Sequence, residues 1–342
     1  MDRLLDQSPE TLAAWLAQRG LPGYRAGQIR RWVFEKRAAE FDEMTDLPLA
    51  LRGELAEAFE VLGSTVAARQ QSDDGTEKLL LAMGDGQRIE CVLLRDDRGH
   101  HTACLSTQVG CAMGCVFCAS GLDGVVRNLT CGEILEQLLH LQRLLPADQR
   151  ISHLVIMGMG EPLANLDALL PALAVATRDD ALGISARRIT ISTVGLPQGI
   201  ARLADEDRAY HLAVSLHAPD DALRNRLVPT NRKTGIAKIL AAADAYFDRT
   251  GRRVTYEYVL LGEVNDRPEH ARRLAAVLRG RPALINVIPY NPVADLTFRT
   301  PSPAAAAQFV DLLRQAGLSV QVRYRKGERI DAACGQLRRR SS

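Results

Sequence analysis

The sequence predicts an α/β fold: strands alternating with helices, preceded by a small helical module and a β-hairpin. Three observations predict it. Between residues 104 and 300, short strand-like apolar runs alternate with stretches of helical period, the pattern of βαβ units and a parallel sheet. Before residue 62 the apolar spacing is helical. Between these regions, two strand-like runs bracket Gly84-Asp85-Gly86, a hairpin signal.

The elements follow in order. Residues 12–16 carry helical apolar spacing that ends at Gly20-Leu21-Pro22-Gly23. A second helix covers residues 26–36, with Ile29, Trp32 and Val33 on one face and Arg25, Arg30, Arg31 and Lys36 expected on the exposed one. A third spans about 47–59. Residues 78–81 and 89–94 form the hairpin arms. Strands are expected at 153–157, 188–192, 211–216, 254–260 and 284–289, with helices at 134–145, 166–176, 236–247 and 268–278. This divides the chain into a helical accessory domain (1–62), a hairpin linker (63–100) and a catalytic domain (101–342). Catalytic residues should lie at the C-terminal ends of the strands.

Composition narrows the class. A formal net charge of +2 argues against a polycation, although a basic groove can hide in a balanced total. No apolar run reaches about 18 residues, so no membrane span is expected, and the first residues lack a signal-peptide core; a cytosolic protein is expected. Seven cysteines cluster oddly. Six lie between Cys91 and Cys131, and Cys334 stands alone near the end, which points to metal or redox chemistry rather than a disulfide framework.

The densest cysteine motif is Gly110-Cys111-Ala112-Met113-Gly114-Cys115-Val116-Phe117-Cys118. Iron–sulfur clusters are normally held by four cysteines, so three in one loop would leave one iron open. A zinc site with Cys104, Cys131 or a histidine as fourth ligand is the alternative. A redox pair of Cys115 and Cys118 would leave Cys111 without a role. Downstream, Met157-Gly158-Met159-Gly160-Glu161-Pro162 follows a strand; its glycines admit a ligand close to the backbone, and Glu161 can accept from an ammonium group.

Together, the loop and the glycine motif resemble those of radical S-adenosylmethionine (SAM) enzymes. The wider match includes Tyr24-Arg25-Ala26-Gly27-Gln28-Ile29, Ser72-Asp73-Asp74-Gly75-Thr76-Glu77-Lys78, Cys104-Leu105-Ser106-Thr107-Gln108-Val109 and Asp331-Ala332-Ala333-Cys334-Gly335-Gln336. On these residues the chain resembles the RlmN/Cfr family of radical SAM RNA adenosine methyltransferases, RlmN more closely. The resemblance implies a partial (β/α)6 radical SAM barrel with an N-terminal helical domain. It implies a [4Fe-4S] cluster on Cys111, Cys115 and Cys118, and SAM held by Gly160, Glu161, Ser192, Ser215, Leu216, His217 and Asn291. Cys334 matches the methyl-carrying cysteine, Cys104 its transient disulfide partner, and Glu90 the proton acceptor. Cys91 and Cys131 are read as structural.

The resemblance also implies methylation of adenosine carbon 2 in 23S rRNA and tRNA, an electron donor such as flavodoxin, and a monomer. Carbon 2 is electron-poor, so a carbon radical formed on methylated Cys334 adds to it where a nucleophilic base could not. The arginines of the helical module would contact RNA phosphates, as a separable unit whose removal leaves the barrel intact. Two alternatives stand: methylation of carbon 8, as in Cfr, and a non-catalytic zinc-stabilised RNA-binding protein. One position departs from the family pattern, Arg329, where an acidic residue is usual.

Overall fold

The computed structural model describes residues 1–293, 296–323 and 330–338; the departure at Arg329 lies outside them. The chain opens with β1 (Asp2–Arg3), α1 (Pro9–Ala17), α2 (Tyr24–Phe34), α3 (Leu49–Ala58) and β2 (Phe59–Glu60). The Ser8 side chain accepts from the Thr11 N–H, and Pro9 takes the first helical position, so α1 starts on a sequence-encoded cap. Leu12, Leu16, Ile29, Val33, Leu51 and Leu55 bury together. Parallel pairing of β1 with β2 ties the two ends of the module. Arg31 and Lys36 are exposed as expected, but Arg30 is buried, its guanidinium over Phe34 and 3.7 Å from Asp180. A helical face packed against the barrel cannot leave every arginine in water.

Next come β3 (Thr65–Gln71), β4 (Glu77–Ala82), β5 (Arg88–Arg95) and β6 (His101–Cys104). The expected hairpin is the β4–β5 pair. Residues 63–100 are more than a linker, however: β3, β4 and β5 run antiparallel and join β6, extending the barrel sheet. Strand β3 escapes sequence reading because all seven of its residues are exposed, leaving no apolar alternation to find.

After the short antiparallel pair β7 (Gln108–Gly110) and β8 (Val125–Asn128), six parallel strands follow: β9 (His153–Ile156), β10 (Ile189–Thr193), β11 (His211–Ser215), β12 (Val254–Leu260), β13 (Ala283–Pro289) and β14 (Ser319–Val322). Between them lie α4 (Cys131–Gln142), α5 (Leu166–Thr177), α6 (Pro197–Asp205), α7 (Asp221–Leu227), α8 (Asn231–Thr234), α9 (Ile236–Thr250), α10 (Pro268–Leu278) and α11 (Pro303–Gln315). The sheet order is β14-β13-β12-β11-β10-β9-β6-β5-β4-β3. Strands β6 and β9 to β13 each lead into a helix, giving six β/α units, and β14 adds a seventh parallel strand. The barrel is partial.

Strand periodicity fixes what faces inward. On β12, Val254, Tyr256 and Tyr258 are buried in the apolar core, whereas Thr255, Glu257 and Val259 line the interior cavities. On β13, Ala283, Ile285 and Val287 alternate in the same way with Leu284, Asn286 and Ile288.

Helix α4 joins the module to the barrel. Residues 132–142 of this helix are all buried. At its start, Asp6 accepts from the Gly132 N–H at 2.6 Å and the Thr130 hydroxyl at 3.0 Å. At its end, the Arg37 guanidinium donates to the carbonyls of Gln142, Leu145, Pro146, Ala147 and Gln149. Asp6 thereby takes up an N–H that a helix leaves unpaired at its start, and Arg37 holds the last helical carbonyl together with four carbonyls of the loop that follows. Removing the module would take these contacts from both ends of α4.

Candidate active site

The cysteine loop is framed by β7 and β8. Gly110 has φ +80°, and a Cβ there would meet the Gly124 carbonyl oxygen at 2.0 Å, so only glycine fits the crossing. The Cys111 N–H donates to the Gly124 carbonyl at 2.9 Å, and the Cys118 N–H to the Cys115 carbonyl at 3.1 Å. Cys111, Cys115 and Cys118 line one cavity of about 140 Å³ with Gly160, Glu161, Ser192, Ser215, His217 and Cys334. These residues lie at or just beyond the C-terminal ends of their strands, as expected for a β/α barrel.

Burial pushes the thiol of Cys111 up to about 12 and raises those of Cys115 and Cys118. Three such thiols become stable thiolates when a metal centre supplies positive charge. Among the described residues, no group of three His, Cys, Asp or Glu side chains gathers around a point that could hold a single metal ion. The three loop thiols offer the sulfur ligands that an iron–sulfur cluster takes. Beside them sits a cation that sequence reading missed. Arg224 is buried and donates to the carbonyls of Leu216, Ser215 and Val194 and to the Asn231 side chain, with no carboxylate among the described residues directly on it. Burial lowers it to about 10, and the opposing charge of Cys115 raises it.

The glycine motif packs on the chain before the cysteine loop. A Cβ on Gly158 would meet the Leu105 carbonyl at 2.6 Å, and one on Gly160, with φ +104°, would meet Gln108 at 2.7 Å. Glu161 accepts from the Leu163 N–H at 3.1 Å and the Val194 N–H at 2.8 Å; burial raises it to about 6. The Thr193 side chain is a further hydrogen-bond partner of this carboxylate. Ser192 and Ser215 bring their hydroxyls within 3.4 Å at the ends of β10 and β11. Leu216, expected at the site, is wholly buried and lines neither this cavity nor the neighbouring one; its carbonyl accepts from Arg224. His217 has φ +59°, and its ring stands edge-on to Phe117 at 4.9 Å. Its Nδ1 accepts from the Val259 N–H, which puts the ring proton on Nε2; burial lowers it to about 3, so it is neutral.

A second cavity, of about 420 Å³, fills the barrel interior and is lined by Cys104, Thr190, Thr255, Asn286, Arg323 and Cys334, among others. Cys334, Glu257, Met157 and Ile288 line both cavities. Burial pushes Cys104 up to about 12, with Cys334 the next contributor. Cys91, the other nearby cysteine, is wholly buried and lines neither cavity. Asn291 also lines the second cavity. Its Nδ2 reaches the Cys334 carbonyl at 3.5 Å, and its buried Oδ1 has no partner among the described residues, a position for a ligand donor.

The segment carrying Cys334 is pinned across the barrel mouth. The Ala119 N–H donates to the Gly335 carbonyl at 2.8 Å and the Ser120 hydroxyl to the Leu337 carbonyl at 2.6 Å. Glu90 is engaged elsewhere than expected. Its carboxylate holds Lys78 at 2.9 Å and the Arg338 N–H at 2.8 Å, and it lines neither cavity. Lys78 in turn donates to the Asp331 carbonyl. Glu257, buried, and Arg323, half-buried, are groups that motif reading passed over. Asn286 donates to Glu257 at 2.8 Å, and burial raises this carboxyl to about 7. The signal for Glu257 was a charged residue at an inward position of the mostly apolar β12.

Comparison with known proteins agrees with this geometry. Residues 105–275 match the family model of the radical SAM superfamily, and residues 3–61 match that of the ribosomal RNA large subunit methyltransferase N-terminal domain. The chain is 60% identical, over 99% of its length and 91% of the relative's, to the probable dual-specificity RNA methyltransferase RlmN of Rhodopirellula baltica. It is 48% identical to the RlmN of Moorella thermoacetica, covering 98% of this chain and 96% of that one. A crystal structure of a radical SAM methyltransferase from Sphaerobacter thermophilus superimposes with a TM-score of 0.96 at 44% identity, covering 99% of both chains. This chain belongs to the RlmN family of radical SAM RNA methyltransferases, whose cofactors are a [4Fe-4S] cluster and SAM.

Proposed function

We propose that this enzyme methylates carbon 2 of adenosine in 23S rRNA and in tRNA, with the methyl group carried on Cys334. One observation carries the reading: Cys334 lines the cavity of the three loop thiols and also the cavity of Cys104. A group on its sulfur can therefore be acted on from one side and meet Cys104 on the other. Cys111, Cys115 and Cys118 hold the cluster. The glycine motif, Ser192, Ser215, Leu216, His217 and Asn291 hold SAM. When bound, these cofactors supply a methyl group, an electron and the means of removing a hydrogen atom.

Cys334 takes the methyl as a thiolate. Its methyl carbon, once a hydrogen atom is removed, adds to carbon 2 and tethers the base to the protein. The carbon 2 proton passes to Glu90, which requires that carboxylate to let go of the Arg338 N–H it holds. Cys104 then attacks the Cys334 sulfur: the sulfur–carbon bond breaks, the freed carbon takes the proton given up by the Cys104 thiol and becomes the methyl group, the unpaired electron left by the addition would return to the bound cluster, and a Cys104–Cys334 disulfide remains. The electron comes from an external donor such as flavodoxin. The test is anaerobic reconstitution followed by incubation with SAM, reductant and RNA fragments, then mass spectrometry of the nucleosides. The expected product is 2-methyladenosine. Recovery of 8-methyladenosine would contradict the assigned position, and recovery of no methylated nucleoside the whole reading.

A further inference from the structure

A groove of about 580 Å³ opens on the rim of the barrel mouth, outside the two catalytic cavities. It is lined by Leu163, Pro197, Gly199, Arg202, Lys233 and Lys238, among others. Leu163 lies two residues past Glu161, and Leu196, also in its wall, two past Val194; both Glu161 and Val194 line the catalytic cavity. The groove therefore adjoins the mouth through which a substrate base reaches Cys334.

Its charge is one-sided. Every charged residue in the lining is a cation. Arg202 pairs with Asp167, which lies outside the lining, and both are exposed, so this pair holds the arginine only weakly. Lys233 and Lys238 are exposed and have no acidic partner among the described residues. Lys238 is also placed against local electrostatics. It is the third residue of the 15-residue helix α9, whose first turn contains no acid, where the helix dipole disfavours a cation. Neither lysine is needed for packing. The lining also takes in the start of α6, which begins on Pro197 with no side-chain cap.

We propose that this groove holds the phosphodiester backbone of the RNA substrate next to the base being modified. The inference rests on the reading above that RNA is the substrate, and adds where on the barrel it is gripped. Such contacts position the strand without reading its sequence. They also offset the cost of drawing an adenine out of its stack toward a recessed Cys334.

The test uses the reconstituted holoenzyme carrying Lys233→Glu with Lys238→Glu, and a second variant carrying Lys233→Arg with Lys238→Arg. RNA affinity is measured across a salt series, and methylation of Cys334 by SAM is measured without RNA. Loss of two phosphate contacts should reduce the slope of log affinity against log salt by about 1.4 for a single strand, or about 1.8 for a helix. RNA methylation should fall through a raised KM, methylation of Cys334 should stay at the unaltered level, and the arginine variant should behave like the unaltered enzyme. An unchanged slope and KM in the glutamate variant would overturn the groove while leaving RNA methylation intact. Failure of the unaltered enzyme to bind or methylate RNA would overturn the underlying reading, and the groove with it.

Discussion

Cys104→Ala and Cys334→Ala separate the two halves of the proposed reaction. Without the Cys334 sulfur there is nowhere to carry the methyl, so that variant should assemble its cluster yet leave RNA unmethylated. Without Cys104 the tethered base cannot be released, and a covalent protein–RNA adduct should accumulate, visible on a denaturing gel. Free product from the Cys104 variant would refute its role. Glu257 gives a prediction in stability. Its carboxyl is raised from 4.5 to about 7, so the stability tied to it is complete below pH 4.5 and is lost as pH rises through 7. Glu257→Gln should therefore gain on the unaltered protein between pH 4.5 and pH 8, by at most about 3 kcal/mol. Denaturation midpoints at both pH values, measured without cofactors, check this; a pH-independent difference would contradict it. At this scale the sequence was legible where chemistry demands spacing: the three loop cysteines, and glycines where a Cβ cannot fit. Arg224 was not legible. Arg224 and Arg226 differ by two positions on one short helix, and only packing decides which is buried.

At the scale of elements, α4 shows how a surface-looking module becomes part of the core. Arg37 lies between helices, where a sequence reader expects a solvated charge, yet it donates to the last carbonyl of α4 and to four carbonyls of the loop after it. Arg37→Ala should cost about 2 kcal/mol, within the range for hydrogen bonds to charged groups. Chemical denaturation would detect it, and a loss under about 0.5 kcal/mol, the level of a surface substitution, would show the cap to be dispensable. Strands β9 to β13 and helices α4, α5, α9 and α10 were readable because their apolar runs are continuous or strictly periodic, whereas the partly exposed β14 and helices α6, α7, α8 and α11 carried no such expectation. Strand β3 was not readable, since it is held by backbone pairing with β4 and buries no side chain. Glu90 belongs to the same lesson. Its place on β5 was legible, but its pairing with Lys78 and Arg338 depends on where the chain end docks.

For the whole molecule, the decisive contact joins residues far apart in sequence. Gly335 and Leu337 accept from Ala119 and Ser120, so the chain end closes over the loop that carries the cluster ligands. No local pattern foretells such a return; only resemblance to a family pointed to Cys334. The central claim is that this sulfur carries the methyl between SAM and RNA. The most direct test incubates the reconstituted holoenzyme with SAM bearing a deuterated methyl and no RNA, maps the label by peptide mass spectrometry, then adds RNA with reductant and unlabelled SAM. The account predicts the label on Cys334 first and in the RNA adenine afterwards. Methylated RNA that contains no deuterium, formed while the label stays on Cys334, would contradict it.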